Sequence, residues 1–448
     1  MATLNLAKWA TQLEPSKVPK NVRQAALRSL YNWLGCAIGG SNHPTVTKAH
    51  EALKPLFGPS TATIYGHGGK QRADMQHACL LNGIASHVHD YDDTHLATII
   101  HPTGPVGSAA LAYAEYKGGV SGEQLLCALV AGIEASCKLG LAVWPEHYDI
   151  GWHITSTTGS IGAAVAVGKL MKLKEEAMAH AIGIASVQVT GLREMFGSDT
   201  KSFHPGRAAQ NGLLAALCAE QGFTSSLQAL EAKRGWANVV AGGGTPKLDH
   251  YLGQLGTEWE IESNAFKPFP CGIVCHPAID ACIQLHHDMK SKGLNVDDIQ
   301  SVTEKVHPLV IELTSKRKPA DGLQGKFSVF HGSAVGLLYG KAGPAQYADE
   351  VVQDPKVISI RDKVDATPDK GLKADEVLVE MSFADGTKLN KHIEHAIGSL
   401  EVPMTDEQLE EKFIDQCKLA IGDSAEAASK QCWKLGDSSD VSEILRSL

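Results

Sequence analysis

The hydrophobic period changes once along this chain and later changes back, and that double switch restricts the fold more than any other feature. Residues 22–39 place Ala26, Leu30, Trp33 and Leu34 at helical spacing, with Gly39 and Gly40 as a stop. Ser121 and Gln124 form a capping box ahead of an apolar stretch that runs to Val143. Residues 159–173 and 206–222 are rich in Ala and Gly, which predicts helices packed closely in the middle of a bundle. After Trp259 the pattern alternates instead. Residues 301–306 read as a strand, and 376–383 place Val377, Val379, Met381 and Phe383 on one face. Asp385-Gly386 and residues 388–393 complete a hairpin signal. Residues 278–289 and 328–339 read as helices between these strands. A second capping box, Thr405 to Gln408, restarts helical periodicity that lasts to the end.

The pattern predicts a mainly α protein. Residues 1–262 and 397–448 would form one large all-helical domain, and residues 263–396 a smaller α+β lid domain inserted into it. At about 150 residues per domain a chain of this length allows three domains, and the insertion reduces the expectation to two. Clefts beside an inserted lid are favoured ligand sites.

Charge and motifs remove several function classes. The net charge of −9 leaves no dominant basic surface for nucleic acid or an anionic membrane. The first residues lack a secretory apolar core, no apolar run reaches about 18 residues, and the final Arg-Ser-Leu is a poor peroxisomal address. The 10 scattered cysteines suit a reducing compartment, so the expected location is intracellular, cytoplasmic or mitochondrial. Cys271, Cys275 and His276 make at most a partial metal site. Phosphate-loop, dinucleotide-binding and serine-elbow motifs are absent.

What remains is an excess of imidazole, 20 histidines in all. Four of them fall within residues 87–101, together with Asp90, Asp92, Asp93 and Thr94. This cluster fits three chemistries: a metal site, cofactor-free acid–base catalysis, or a solvated loop. Elsewhere His101-Pro102, His204-Pro205 and His276-Pro277 each precede a helical stretch, and His153 precedes the hydroxyls of Thr155 to Thr158, which are expected to cap a following helix. Proline is favoured at the first helical position, so these histidines are expected at helix N-termini, where carboxylates bind well. Lys201 and Arg207 flank one such start, and Lys267 lies among aromatic and proline residues at the domain boundary. A polycarboxylate substrate would need such local cations in an acidic chain.

Read together, these segments resemble the MmgE/PrpD family across nearly the whole chain. The carriers are Asn82-Gly83, His89 to Thr94, His101-Pro102, Gly151-Trp152-His153 with Thr158-Gly159, Thr200-Lys201 with His204 and Gly206 to Gly212, Lys267 to Cys271, His276-Pro277, Gly325 to Ser328, and Pro403-Met404. The resemblance implies a helical domain carrying a lid, a homodimer, and no required metal or organic cofactor. It places the pocket of the decarboxylase branch on Asp90, Thr94, His101, His153, Lys201 and Lys267. The animal decarboxylases carry a tyrosine in the segment corresponding to 308–318, and this chain has none there.

The expected activity is therefore a cofactor-free lyase acting on a citrate- or aconitate-like polycarboxylate, with cis-aconitate decarboxylation leading. 2-Methylcitrate dehydration and iminodisuccinate epimerisation are alternatives. Asp90, His101, His153, Lys201 and Lys267 are the candidate catalytic residues, and Thr94, His204, Arg207 and His276 the candidate substrate-binding residues. The rivals from other classes are a metal-dependent hydrolase and a non-catalytic helical binding protein.

Overall fold

In a computed structural model describing residues 1–448, the chain is mainly helical, 59% of it, with small sheets. It divides into two compact units. The first comprises residues 1–88, 92–265 and 409–448, and the second residues 89–91 and 266–408.

The first unit contains α1 (Ala2–Gln12), α2 (Lys20–Gly40), α3 (Met75–His87), the short strand β1 (Asp93–His95), α4 (Thr103–Lys117), α5 (Gly122–Val143), α6 (Ile154–Leu170), α7 (Glu175–Ser186) and α8 (Asp199–Glu220). Asp74 caps α3 by accepting the N–H groups of Gln76 and His77, and the Ser121/Gln124 capping box opens α5 as expected. One helix, α5, is long and apolar enough to cross a membrane, and it is buried within the unit beside α6. Small residues set the spacing of the central helices. A Cβ on Gly83 of α3 would stand 2.5 Å from Gly206 Cα of α8, and one on Gly212 of α8 would stand 2.5 Å from Ala163 Cβ of α6. These contacts are closer than any side chain allows, so α3, α6 and α8 approach backbone to backbone. The chain returns late to this unit, where Tyr31 of α2 stacks on Phe413 and Trp433 at 4.7 and 3.9 Å.

The second unit holds α9 (His276–Ser291), β2 (Ile299–Val306), α10 (Pro308–Thr314), α11 (Val329–Tyr339), β3 (Val364–Pro368), β4 (Val377–Phe383) and β5 (Lys388–Ile393). Its four-stranded sheet runs in the order β3-β2-β4-β5, with β2 and β3 parallel and the other pairs antiparallel. Val302, Val306, Val377, Val379, Met381 and Phe383 are buried in one core with Ile279, Cys282 and Leu285 of α9. The period of two also turns Glu304 onto that apolar face.

Two local expectations need correction. Helix α8 begins at Asp199, so Pro205 lies inside it and His204 is not at its start. Pro205 lacks the N–H for one helical hydrogen bond, and beside it Gly206 packs closely against α3. Helix α6 begins at Ile154, so Thr155 to Thr158 are helical residues rather than caps. Thr157 and Thr158 donate back to the Ile154 carbonyl. Pro102, by contrast, immediately precedes α4, and Pro277 sits in the first turn of α9.

Candidate active site

In the first unit the ends of several elements converge on buried imidazoles. His87 is the last residue of α3, His101 lies two residues before α4, His153 caps the start of α6, and Lys201 and His204 lie in the early turns of α8. All five are buried. The His87 and His101 ring centroids are 4.7 Å apart, those of His87 and His153 5.9 Å, and those of His153 and His204 5.2 Å.

Asp92 organises this group. His87 Nδ1 donates to its Oδ2 at 2.8 Å, and His101 Nδ1 lies 3.4 Å from its Oδ1. His101 Nδ1 also lies 2.9 Å from the Asp93 carbonyl oxygen and 3.3 Å from Thr94 Oγ1. A carbonyl can only accept, so Nδ1 of His101 carries a hydrogen. The His101 backbone N–H donates to Thr155 Oγ1 at 3.1 Å, which ties the start of α4 to α6. His153 and His204 share one N–H···N hydrogen bond of 2.9 Å between their Nδ1 atoms.

Burial, despite the opposing pull of Asp92, pushes His87 down to about 4, with the Lys201 ammonium adding to the effect. Burial and then Lys201 likewise take His204 to about 4 and His153 well below its usual value. His87, His153 and His204 are thus neutral bases at neutral pH. Burial and the neighbouring Asp92 raise Asp93 to about 6, against donation from Thr103 and Asn264. His87, Asp92 and His101 offer atoms within 4.8 Å of one another, a spacing that would also suit a metal ion. Their hydrogen bonds commit both Nδ1 atoms as donors, a pattern shared by a proton relay and by histidines whose Nε2 ligates a metal.

The surroundings hold these groups still. His95 bridges Thr98 Oγ1 at 2.7 Å and Glu260 Oε2 at 3.1 Å, and Lys138 Nζ pairs with Glu260 Oε1 at 2.9 Å. That network anchors β1, which carries Asp93 and Thr94. Gly191, at φ +101°, lies against His153 and His204; a Cβ there would stand 3.1 Å from His153 Cβ and 3.2 Å from the His204 ring.

The second unit carries its own buried pair. Lys267 Nζ donates to Asp90 Oδ1 at 2.8 Å, to the Asp90 carbonyl at 3.1 Å and to the Cys271 carbonyl at 3.2 Å. Both side chains are almost fully buried, and Asp90 has φ +51°, a strained backbone for a non-glycine residue. Nearby, the His276 ring packs edge-on against Phe269 with centroids 5.4 Å apart. Burial opposes ionisation of Cys271, but hydrogen bonds from Cys275 and the adjacent His276 bring its thiol down to about 5.

Of the residues singled out from sequence, the structure therefore joins Thr94 with His101, His153 with His204, and Asp90 with Lys267. Arg207 faces outward and donates to Gln210 on its own helix at 2.5 Å. The sequence reading left His87, Asp92 and Asp93 without roles. The available signal was a histidine in the last turn of a helix followed by a carboxylate five residues on, which lets the chain fold back on that imidazole.

The fold and this site define a mainly helical protein with a buried cluster of imidazoles and carboxylates built on helix ends. The comparisons place it. The MmgE/PrpD N-terminal domain matches residues 4–249 and the MmgE/PrpD C-terminal domain residues 269–435. The chain belongs to the MmgE/PrpD family. It is 26% identical over 466 residues to a cis-aconitate decarboxylase-like protein of Aspergillus oryzae, covering 99% of this chain and 96% of that protein. It is 25% identical over 452 residues to the cis-aconitate decarboxylase of Homo sapiens, covering 97% and 92%. To the 2-methylcitrate dehydratase of Escherichia coli strain K12 it is 24% identical over 401 residues, covering 82% and 80%. Decarboxylases and dehydratases are both lyases, the class these relatives define.

Proposed function

We propose that this chain is a cofactor-free lyase that acts on a citrate- or aconitate-like polycarboxylate, with cis-aconitate as the leading substrate and itaconate as the type of product. The observation that carries this reading is the gathering of neutral buried imidazoles around one ammonium, Lys201, in an otherwise acidic chain. A polyanion would find there a fixed cation and proton carriers within one dry site. Lys201, Lys267 and the helix starts beside His101 and His153 hold carboxylates in this proposal, with Thr94, His204, Arg207 and His276 as further binding groups. Asp90 and an imidazole move a proton on the carbon next to a carboxylate. The second unit, residues 263–396 in this reading, serves as the lid that opens and closes during turnover. The working form is a homodimer in the cytoplasm.

Dehydration of 2-methylcitrate is the second reading. It is favoured by the segment 308–318, where α10 carries no tyrosine, unlike the animal decarboxylases. Decarboxylation, dehydration and the alternative epimerisation of iminodisuccinate share a carbanion-like or protonated intermediate stabilised by the same cations, so this residue set suits each of them. One experiment separates them. The protein is incubated with cis-aconitate, 2-methylcitrate, citrate and iminodisuccinate, and products are followed by proton NMR. Itaconate from cis-aconitate is the expected result; loss of water from 2-methylcitrate would establish the second reading, and four unchanged substrates would overturn both.

A further inference from the structure

Of the four imidazoles gathered in the first unit, His87 has an atom with nothing to do. Its side chain is fully buried, its Nδ1 is taken by Asp92, and its Nε2 is buried with no hydrogen-bond partner. An orphaned polar atom in a protein interior has lost its hydration without replacement, so it marks a position that a water, an ion or a ligand group can complete. The groups around it suit a reacting anion. His101 and His153 flank the ring, and Lys201 supplies positive potential strong enough to affect its protonation. The opposite side of the ring is fixed by a carboxylate, the arrangement that sets the tautomer of a general base and stabilises the imidazolium it becomes.

We infer that His87 is a catalytic residue whose Nε2 exchanges a proton with the substrate carbon adjacent to a carboxylate, while Asp92 is the positioning residue that holds the ring. This rests on the polycarboxylate reading above and specifies which imidazole carries the proton. In the abstraction direction the C–H bond breaks, its electron pair stays on carbon and spreads into the carboxylate, and an N–H bond forms on Nε2. The imidazolium is balanced by Asp92. In decarboxylation the same path runs in reverse. The electron pair left on carbon as carbon dioxide departs takes the proton from Nε2, a proton that hydronium from bulk solvent delivers to the ring as the anionic substrate binds, so each turnover consumes one solvent proton and returns His87 to the neutral form. Titratable groups facing the ring include Asp92, His101, His153 and Lys201.

The two roles of His87 separate by substitution. His87→Asn keeps a donor where Nδ1 stands, so Asp92 retains its partner, but removes Nε2. His87→Ala removes both. Turnover is measured on whichever of the four polycarboxylates the wild type converts, in D2O, with folding checked by near-ultraviolet circular dichroism. The expected result is a loss of kcat of about 10²- to 10⁴-fold in both variants, little change of KM in His87→Asn, and loss of the wild type's deuterium incorporation at the reacting carbon. If His87→Asn keeps kcat within about tenfold of the wild type, His87 is only a structural donor to Asp92 and the inference fails while the polycarboxylate reading stands. If the wild type converts none of the four, that reading fails and takes the inference with it.

Discussion

In the first unit Asp92 is buried between two imidazoles, whereas in the second Glu304 is buried between the Cys282 thiol, 3.7 Å from its Oε1, and the Ser333 hydroxyl. Both carboxyl groups are fully inaccessible to water. Asp92 stays ionised: against the effect of burial, the His87 and His101 imidazoles hold its pKa well below the usual value. His87 donates to it and His101 lies beside it. Glu304 has no cation beside it, and burial raises it from 4.5 to about 7, so it is held as a neutral acid. Burial by itself does not make a reactive centre. Partners decide whether a buried acid becomes charged and directional or only a tolerated polar atom in an apolar core.

The sharpest way to break the contrast is to remove a partner. In Lys267→Met the Asp90 carboxylate would lose its buried cation, and we expect a loss of about 3–5 kcal/mol in unfolding free energy, read by urea denaturation, together with loss of turnover. A stability change under 1 kcal/mol would mean that Asp90 is already satisfied by other donors.

Glu304 predicts the opposite behaviour. Its folded pKa lies above the unfolded one, so its contribution is fully favourable below pH 4.5 and is lost as pH rises towards 7. Glu304→Gln should therefore stabilise the protein relative to wild type by about 3 kcal/mol at pH 8 and by nothing at pH 4, from parallel urea melts. Asp92 works with the reverse sign, since its lowered pKa gives stability that is present above the ordinary carboxylate value and lost as pH falls below it. A pH-independent effect of Glu304→Gln would show that Glu304 is not the titrating group.

Two smaller tests bracket the scale. Gly83→Ala would force α3 away from α8, at a cost of about 1–3 kcal/mol, measured as a fall in Tm, and should reduce activity through His87 at the end of α3. Lys388→Ala removes a half-exposed cross-strand ion pair with Glu380 and should change stability by no more than about 0.5 kcal/mol.

Legibility differed between local and distant features. The two capping boxes, the hairpin at Asp385-Gly386 and the inward face of 377–383 could be read directly, because caps and strand alternation depend on neighbours a few residues apart. The start of α8 could not. A proline normally marks a first turn, but here the helix runs through Pro205, with Gly206 packed closely against α3. Within the site, the families of polar residues were visible as clusters, but their pairing was not. His153 and His204 are 51 residues apart in sequence, and Asp90 and Lys267 are 177 apart.

By itself, then, the order of residues determined the mainly helical class, the change to strands after Trp259 and the concentration of imidazole and carboxylate around residues 87–101. Each follows from periodicity or composition over a short window. The tertiary structure alone decided that Asp92 faces His87 and His101, that Glu304 turns inward without a cation, and that His87 Nε2 is left unpartnered. These depend on which groups burial brings together, and in a low-dielectric interior a shift of a few ångströms decides whether a polar atom is paired, charged or orphaned.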